Sequence, residues 1–270
     1  MPDNLIQWPS AKYWDKPWNP IIGCHPASPA CDNCYARALV TGRFNTTGIC
    51  APGFAPTETK RVNPPRNGVV FCGNLTDLFG PWVAERFCRP GEYVERTLGA
   101  VGRATYLWLT KRPGAMCDVL NHHEIVYDDF GDSFRRFDMA NQFFGFTAED
   151  QRRFDERRDA IYHEAPTWAN LWLSCEPLLG EIESLFLGNF VASNKAKWVV
   201  VGCESGPHRR PCRIEWVESI VEECQQYGVP VFVKQLDIGG KCVTNIDQFP
   251  AHLRIRQVPW NRRAEGKETK

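Results

Sequence analysis

Cys24, Cys31 and Cys34 form a C-x6-C-x2-C run inside Cys24-His25-Pro26-Ala27-Ser28-Pro29-Ala30-Cys31-Asp32-Asn33-Cys34-Tyr35. Three thiols are an odd number for disulfides and one short of a structural zinc site. Three thiolates can instead bind three irons of a [4Fe–4S] cluster and leave the fourth iron open to a small molecule. The amino and carboxylate groups of S-adenosylmethionine suit such an iron. One electron then cleaves the sulfonium, and a 5′-deoxyadenosyl radical abstracts hydrogen from a substrate. Two other readings stay open at this point. One is zinc, with His25 or a distant cysteine as fourth ligand; the other is three inert thiols, against which the surrounding Pro, Ser, Asp and Asn argue.

A scaffold must present this loop. Short apolar runs recur along the chain: Val69–Cys72, Tyr106–Leu109, Phe143–Phe146, Leu171–Cys175, Trp198–Cys203 and Val229–Val233. Continuous apolar runs of this length fit strands covered on both faces of a parallel sheet. Helical patterns lie between several of them, over 92–101, 149–164 and 213–227, the last with Ile214, Val217, Val221 and Cys224 on one stripe and Gly228 as its stop. Asp32 reads as the N-cap of a helix beginning at Tyr35, and Ile21-Ile22 as the end of a first strand opening into the cysteine loop. The expected fold is α/β, a partial (β/α) barrel of about six to seven parallel strands. The expected division is an N-terminal cap over 1–17, the barrel over 18–240 and a C-terminal extension over 241–270.

Polar residues follow the strand ends: Asn74, Asp77, Lys111, Glu149, Glu176, Glu204 and Lys234. In a (β/α) barrel that rim is where active sites are built. Formal net charge is zero, so the chain as a whole is neither a nucleic-acid-coating protein nor an acidic tail. A basic stretch does occur in the long loop 43–68, with Arg43, Lys60, Arg61 and Arg66 against Glu58. No run of about 18 apolar residues and no basic-then-apolar leader is found, which points to a cytoplasmic protein without a membrane partner. In that compartment the 12 cysteines are expected as thiols, ligands or catalytic groups rather than disulfides.

Several blocks together resemble a known family. Trp18-Asn19-Pro20, Gly23-Cys24, Ser28-Pro29, Cys31 and Cys34-Tyr35-Ala36 are similar to the opening motif of the phage Gp37/Gp68-like (DUF5131) proteins. Asp77-Leu78-Phe79, Leu109–Pro113, Glu176–Gly180, Glu204–Pro207 and Phe232–Gln235 extend the similarity over about 18–240. The resemblance implies a partial (β/α) barrel of the radical S-adenosylmethionine type with one [4Fe–4S] cluster, in the host cytoplasm if the chain is phage-encoded. Against the family pattern, Cys203 and Cys212 stand where Gly and Met are usual, and Cys72 and Cys175 replace apolar residues.

These readings assign roles. Cys24, Cys31 and Cys34 are the metal ligands. Tyr35, Asn74, Asp77, Glu149, Ser174, Glu176 and Lys234 are candidates for binding S-adenosylmethionine. Cys72, Cys175 and Cys203, expected at strand ends facing the site, are candidate hydrogen-atom donors, or with Cys212 ligands of an auxiliary iron–sulfur cluster. Lys111 and Glu204 complete the candidate catalytic set, and the 205–210 turn with Arg209 and Arg210 is the candidate phosphate contact. The expected substrate is a modified thymidine or another base in DNA, or a nucleotide. One apt reaction moves a glycinyl group from nitrogen to carbon linkage on the thymine methyl. An external electron donor such as a flavodoxin is implied. Two alternatives remain: a radical lyase repairing damaged pyrimidines, and a zinc-stabilised nucleic-acid-binding protein without turnover.

Overall fold

The computed structural model describes residues 6–44, 54–98, 104–122, 140–183 and 196–260. In chain order its strands are β1 (Ile6–Gln7), β2 (Lys16–Trp18), β3 (Ile21–Ile22), β4 (Thr57–Glu58), β5 (Val69–Cys72), β6 (Thr105–Thr110), β7 (Gln142–Thr147), β8 (Asn170–Cys175), β9 (Ala196–Gly202), β10 (Val231–Ile238), β11 (Lys241–Val243) and β12 (Gln257–Val258). The α-helices are α1 (Tyr35–Leu39), α2 (Pro81–Arg86), α3 (Pro90–Leu98), α4 (Pro113–His122), α5 (Gln151–Glu164) and α6 (Ile214–Gln226).

The fold is mixed α/β, built on an eight-stranded sheet of order β11-β10-β9-β8-β7-β6-β5-β2. All neighbouring pairs are parallel except β10 with β11. The expected apolar runs are therefore its central strands, and helices follow β6, β7 and β9 as crossovers. Two small antiparallel ribbons, β1 with β12 and β3 with β4, lie outside it.

Alternation along each strand sorts side chains between two faces. Val70, Cys72, Trp108, Phe144, Phe146, Leu173, Cys175, Val199 and Val201 share one core with Met116, Phe154, Ile161, Val217 and Ile220 of the helices. Val69, Phe71, Leu107, Phe143, Trp172, Trp198, Val200 and Phe232 form the second core with Trp8, Tyr13, Val258 and Trp260 from the two ends of the chain. The second core is aromatic: the Tyr13 ring stands edge-on to Trp198 at 5.1 Å and to Phe232 at 5.5 Å. Residues 8–14 and 242–260 thus pack on the sheet, the former on the face that the helices leave free.

Three local expectations are corrected. The strand that joins the main sheet before the cysteine loop is Lys16–Trp18, paired parallel with Val70–Cys72. Ile21-Ile22 is a strand but pairs with Glu58 and Thr57 in a ribbon. Pro17 and the charged Lys16 hid β2, since an edge strand needs no apolar run and tolerates proline. Cys34, not Asp32, caps α1, because Asp32 closes the short turn Pro29–Cys31 with helical backbone angles.

Gly145 of β7 lies opposite Trp172 of β8, and a Cβ there would stand 2.3 Å from the indole. Gly145→Ala is expected to lower stability by about 1–3 kcal/mol, as overpacking does. The measurement is a urea midpoint at unchanged m-value.

Candidate functional site

The C-terminal ends of β5, β6, β7, β8, β9 and β10 and the cysteine loop meet around one cavity of about 440 Å³. Strand parity decides who reaches it. Phe71, Leu109, Thr147, Ser174 and Lys234 continue the Trp172/Phe232 face and line the cavity, as do Glu176 and Glu204 just beyond their strands. All three of Cys24, Cys31 and Cys34 line it, together with Tyr35, Asn74, Asp77, Lys111 and Cys203.

Cys72 and Cys175 are one residue out of phase. Both are buried in the helix-side core, 2% and 0% exposed, and neither is among the cavity-lining residues. Their expected orientation toward the site is corrected for that reason. Burial in apolar surroundings pushes both thiols up. Cys224 is also in that core, as its helical stripe indicates. Cys50 lies outside the described residues.

The cysteine loop has only the three-residue turn Pro29–Cys31 before α1, so its shape rests on side chains from the strand ends. The Asp77 carboxylate accepts from Thr110 Oγ1 (2.8 and 2.9 Å), the backbone N–H of Phe79 and Lys111 (both 3.1 Å) and Arg112 Nη1 (2.9 Å). Arg112 Nη2 in turn donates to the carbonyls of His25 (3.1 Å) and Pro26 (3.4 Å). Its guanidinium also stacks 4.6 Å from the Trp82 ring, which meets the His25 ring at 4.8 Å.

Glu149 makes the second anchor. It is 1% exposed and pairs with Lys111 and with Arg157 Nη1 (2.7 Å), while Ser28 Oγ donates to it at 2.5 Å. Glu204 makes the third. It accepts from Arg210 N, Nε and Nη2 and from Asn33 Nδ2 (3.1 Å), and Arg210 Nη1 donates to the Pro29 carbonyl at 3.0 Å. Asn33 also donates to the His208 carbonyl at 2.7 Å. Three strand-end carboxylates therefore hold 25–26, 28–29 and 33 of the loop.

This redistributes the expected roles. Asp77, Glu149 and Glu204 spend their acceptor capacity on the loop, Lys111 is taken by Glu149, and Arg209 pairs with Asp237 (3.2 Å) as Arg210 does with Glu204. Glu149 itself is not among the cavity-lining residues. The groups left facing the cavity include Ser174, whose buried Oγ has no partner among the described residues, the Glu176–Lys234 pair, the Asn74 side chain and the exposed Lys12 and Arg37. Asn74 accepts from Asn19 Nδ2 at 2.7 Å, and its carbonyl accepts from the Tyr35 hydroxyl at 2.7 Å. The Tyr35 ring remains exposed beside Cys34. Sequence reasoning missed Arg157 and Asn19 as positioning residues, and only contact in space reveals them.

The loop sulfurs have donors of their own: Ala27 N–H to Cys31 Sγ at 3.4 Å, with Ser28 Oγ 4.0 Å from the same sulfur. Burial and the Asp77 charge push the Cys24 thiol up to about 12. Among the described residues no three His, Cys, Asp or Glu side chains stand close enough to share one metal ion. No helix among them is long and apolar enough to cross a membrane. Of the basic loop, Lys60, Arg61 and Arg66 are exposed and make no ion pair among the described residues; the Arg43 side chain lies outside the described set. Trp8, Trp18, Trp82, Trp108, Trp172, Trp198 and Trp260 are buried, so most of the tryptophan content fills the core.

A family model described as "Protein of unknown function (DUF5131)" matches residues 9–266, and the chain belongs to that family. No curated protein and no solved structure matches.

Burial alone would raise the Glu149 carboxyl, but the Lys111 and Arg157 charges and the hydrogen bonds from Lys111 and Ser28 outweigh it and hold it below its usual value. Glu204 is likewise held down, against burial, by hydrogen bonds from Arg210 and Asn33. A lowered carboxylate contributes stability that is present above its unfolded value of about 4.3 and is lost as pH falls through the folded one. Glu149→Gln is expected to cost about 3 kcal/mol at pH 7, because it leaves the buried Arg157 and the partly buried Lys111 without their carboxylate. Its stability should also fall less steeply than wild type below about pH 4.3. Urea unfolding across pH 3–7 reads both, and parallel wild-type and variant curves would refute the anchor.

Proposed function

We propose that this chain is a radical S-adenosylmethionine enzyme of partial (β/α) barrel type. In this reading Cys24, Cys31 and Cys34 hold a [4Fe–4S] cluster, and the substrate is a modified thymidine or another base in DNA. The observation that carries it is the convergence of exactly three loop thiols and the strand-end residues on one cavity.

The donor set fits such a cluster. The three thiols line the cavity together, and the His25 ring is packed on Trp82. When bound, the cluster supplies the electron that converts S-adenosylmethionine into methionine and a 5′-deoxyadenosyl radical.

The chain's own residues do the positioning. Arg112, Ser28, Arg210 and Asn33 fix the loop, and the Ala27 N–H directed at Cys31 stabilises negative charge on that sulfur. Ser174 and Asn74 offer neutral hydrogen bonds within the cavity, while Glu176 and Lys234 offer one charge of each sign for the amino and carboxylate ends of an amino-acid moiety. Tyr35 can cover an adenine ring. Trp14, Phe54, Phe71 and Leu109 supply apolar wall, which limits water around a radical. Cys203, at the cavity and 1% exposed, carries an S–H that can return a hydrogen atom to a product radical. Exposed Lys60, Arg61 and Arg66 suit phosphate contacts. A rearrangement that moves a glycinyl group from nitrogen to carbon begins with hydrogen abstraction at the glycine α-carbon.

Anaerobic reconstitution with iron and sulfide is expected to give a brown protein with about four irons per chain. On reduction it should form 5′-deoxyadenosine from S-adenosylmethionine. Cys24→Ala, Cys31→Ala and Cys34→Ala should each abolish that product, and Cys72→Ala should retain it. A colourless protein holding one zinc and cleaving no S-adenosylmethionine would sink the proposal. Nucleosides from hypermodified phage DNA and from irradiated DNA, separated by chromatography because an isomerisation conserves mass, distinguish rearrangement from repair.

A further inference from the structure

Two cations line the cavity without serving the cysteine loop. Lys12 comes from the N-terminal segment and Arg37 from α1, and both are exposed, so they stand where the cavity opens to solvent. The other charges of the wall are matched: Arg112 by Asp77, Lys234 by Glu176, Lys111 by Glu149 and Glu204 by Arg210. Lys12 and Arg37 have no carboxylate within ion-pair distance among the described residues. Unmatched positive charge beside apolar walls draws anions, because low-dielectric walls focus the field. The 205–210 turn, expected from the sequence to contact phosphate, has its arginines committed to Asp237 and Glu204.

Both cations are seated by their backbone. The Lys12 N–H donates to Ser10 Oγ at 3.1 Å, its carbonyl accepts from Trp8 Nε1 at 2.8 Å, and the buried Tyr13 follows it. Its Nζ lies 4.2 Å from the centre of the Trp14 ring, which also lines the cavity. Ala36 and Val40 pack on Ile22 and Leu75 and so fix α1, which carries Arg37 on its exposed side. Trp14 and Phe54 place aromatic surface in the same cavity. Aromatic rings beside cations suit a base together with its phosphate. A separate sign of a ligand comes from Ser174, which lines the cavity, is 1% exposed and has an Oγ with no partner among the described residues. An unpaired buried hydroxyl is costly, and a polar ligand that reaches it restores the bond.

We infer that Lys12 and Arg37 form a phosphate site at the cavity mouth, so that the substrate is a nucleoside carrying a phosphate rather than a free nucleoside. A 5′-monophosphate and a phosphodiester of a strand share that chemistry. The inference rests on the substrate half of the proposed function and not on the cluster. Arg37 offers a planar fork to two phosphate oxygens, and Lys12 a point charge. Both act on which substrate is retained, and neither takes part in the bond changes.

The test is equilibrium binding of thymidine, thymidine 5′-monophosphate and a short thymidine oligonucleotide to the full chain, purified anaerobically. Wild type should prefer the monophosphate to thymidine by about ten-fold or more, and added salt should shrink that preference. Lys12→Ala and Arg37→Ala should each reduce it, and the double variant should bring the two affinities to within about two-fold of each other. Both side chains are exposed, so the variants keep their fold. Lys241→Ala, which removes an exposed charge outside the cavity, should leave the preference intact. Tighter binding of the oligonucleotide than of the monophosphate identifies a strand as the source of the phosphate, and the reverse order identifies a free nucleotide. Equal affinity of wild type for thymidine and its monophosphate overturns the inference, as does binding of neither, or a double variant that keeps the preference. Formation of 5′-deoxyadenosine by the same preparation after reconstitution reads the cluster separately. Cleavage without phosphate preference removes this inference alone, and preference without cleavage removes only the cluster reading.

Discussion

The three-cysteine loop cannot hold its own shape, and the structure is arranged around that constraint. Between Gly23 and Tyr35 it has one short turn, so the carbonyls of His25, Pro26 and Pro29 and the hydroxyl of Ser28 need partners from elsewhere. Two arginines and a buried carboxylate supply them. Each arginine would be free to swing if it were not itself held by an acid at a strand end. Asp77 holds Arg112, Glu204 holds Arg210, and Glu149 bonds Ser28 directly. Charge-assisted hydrogen bonds in surroundings this buried are directional and strong, and removing one partner leaves a buried charge exposed to the full penalty.

That arrangement pairs Lys111, Arg112, Arg210 and Lys234 each with a carboxylate at or just beyond a strand end. The groups at the cavity not committed to the loop are Ser174, Asn74, the Glu176–Lys234 pair and the exposed Lys12 and Arg37, against an apolar wall. Away from the cavity, Lys60 and Arg61 border a groove beside Trp18.

Much of this was legible in the sequence. Apolar runs ending in polar residues mark parallel strands and their functional rim, and the three cysteines mark the loop that joins it. Less legible was which neighbour of each strand end faces the cavity. Cys72 and Cys175 precede Gly73 and Glu176 by one position, and a one-residue step reverses the face. A run apolar on both faces carries no alternation from which to read that phase. Pairing was hidden for a different reason. Lys111 with Glu149 and Arg112 with Asp77 join residues more than 30 positions apart, and no local pattern encodes such a contact. Arg157 looked like one charge among many on a solvated helix, yet it is buried 2.7 Å from Glu149.

The same logic separates the described cysteines by what surrounds each rather than by spacing. Cys72, Cys175 and Cys224 sit among hydrocarbon, where a neutral thiol is simply a small apolar group. Cys24, Cys31 and Cys34 line the cavity in a loop of arginine-held carbonyls, and Cys31 Sγ accepts from the Ala27 N–H. Cys203 belongs to neither class, since it reaches the cavity on one side and the Cys242–Asp237 pair on the other. A residue so placed couples the hairpin β10–β11 to the cavity wall. The segment carrying Glu204 and Arg210 in turn holds Pro29 and Asn33 of the loop. The geometry of the three loop thiols is thus set partly by residues more than 170 positions away in sequence, and that distance is why the spacing of the thiols alone says so little about what they hold.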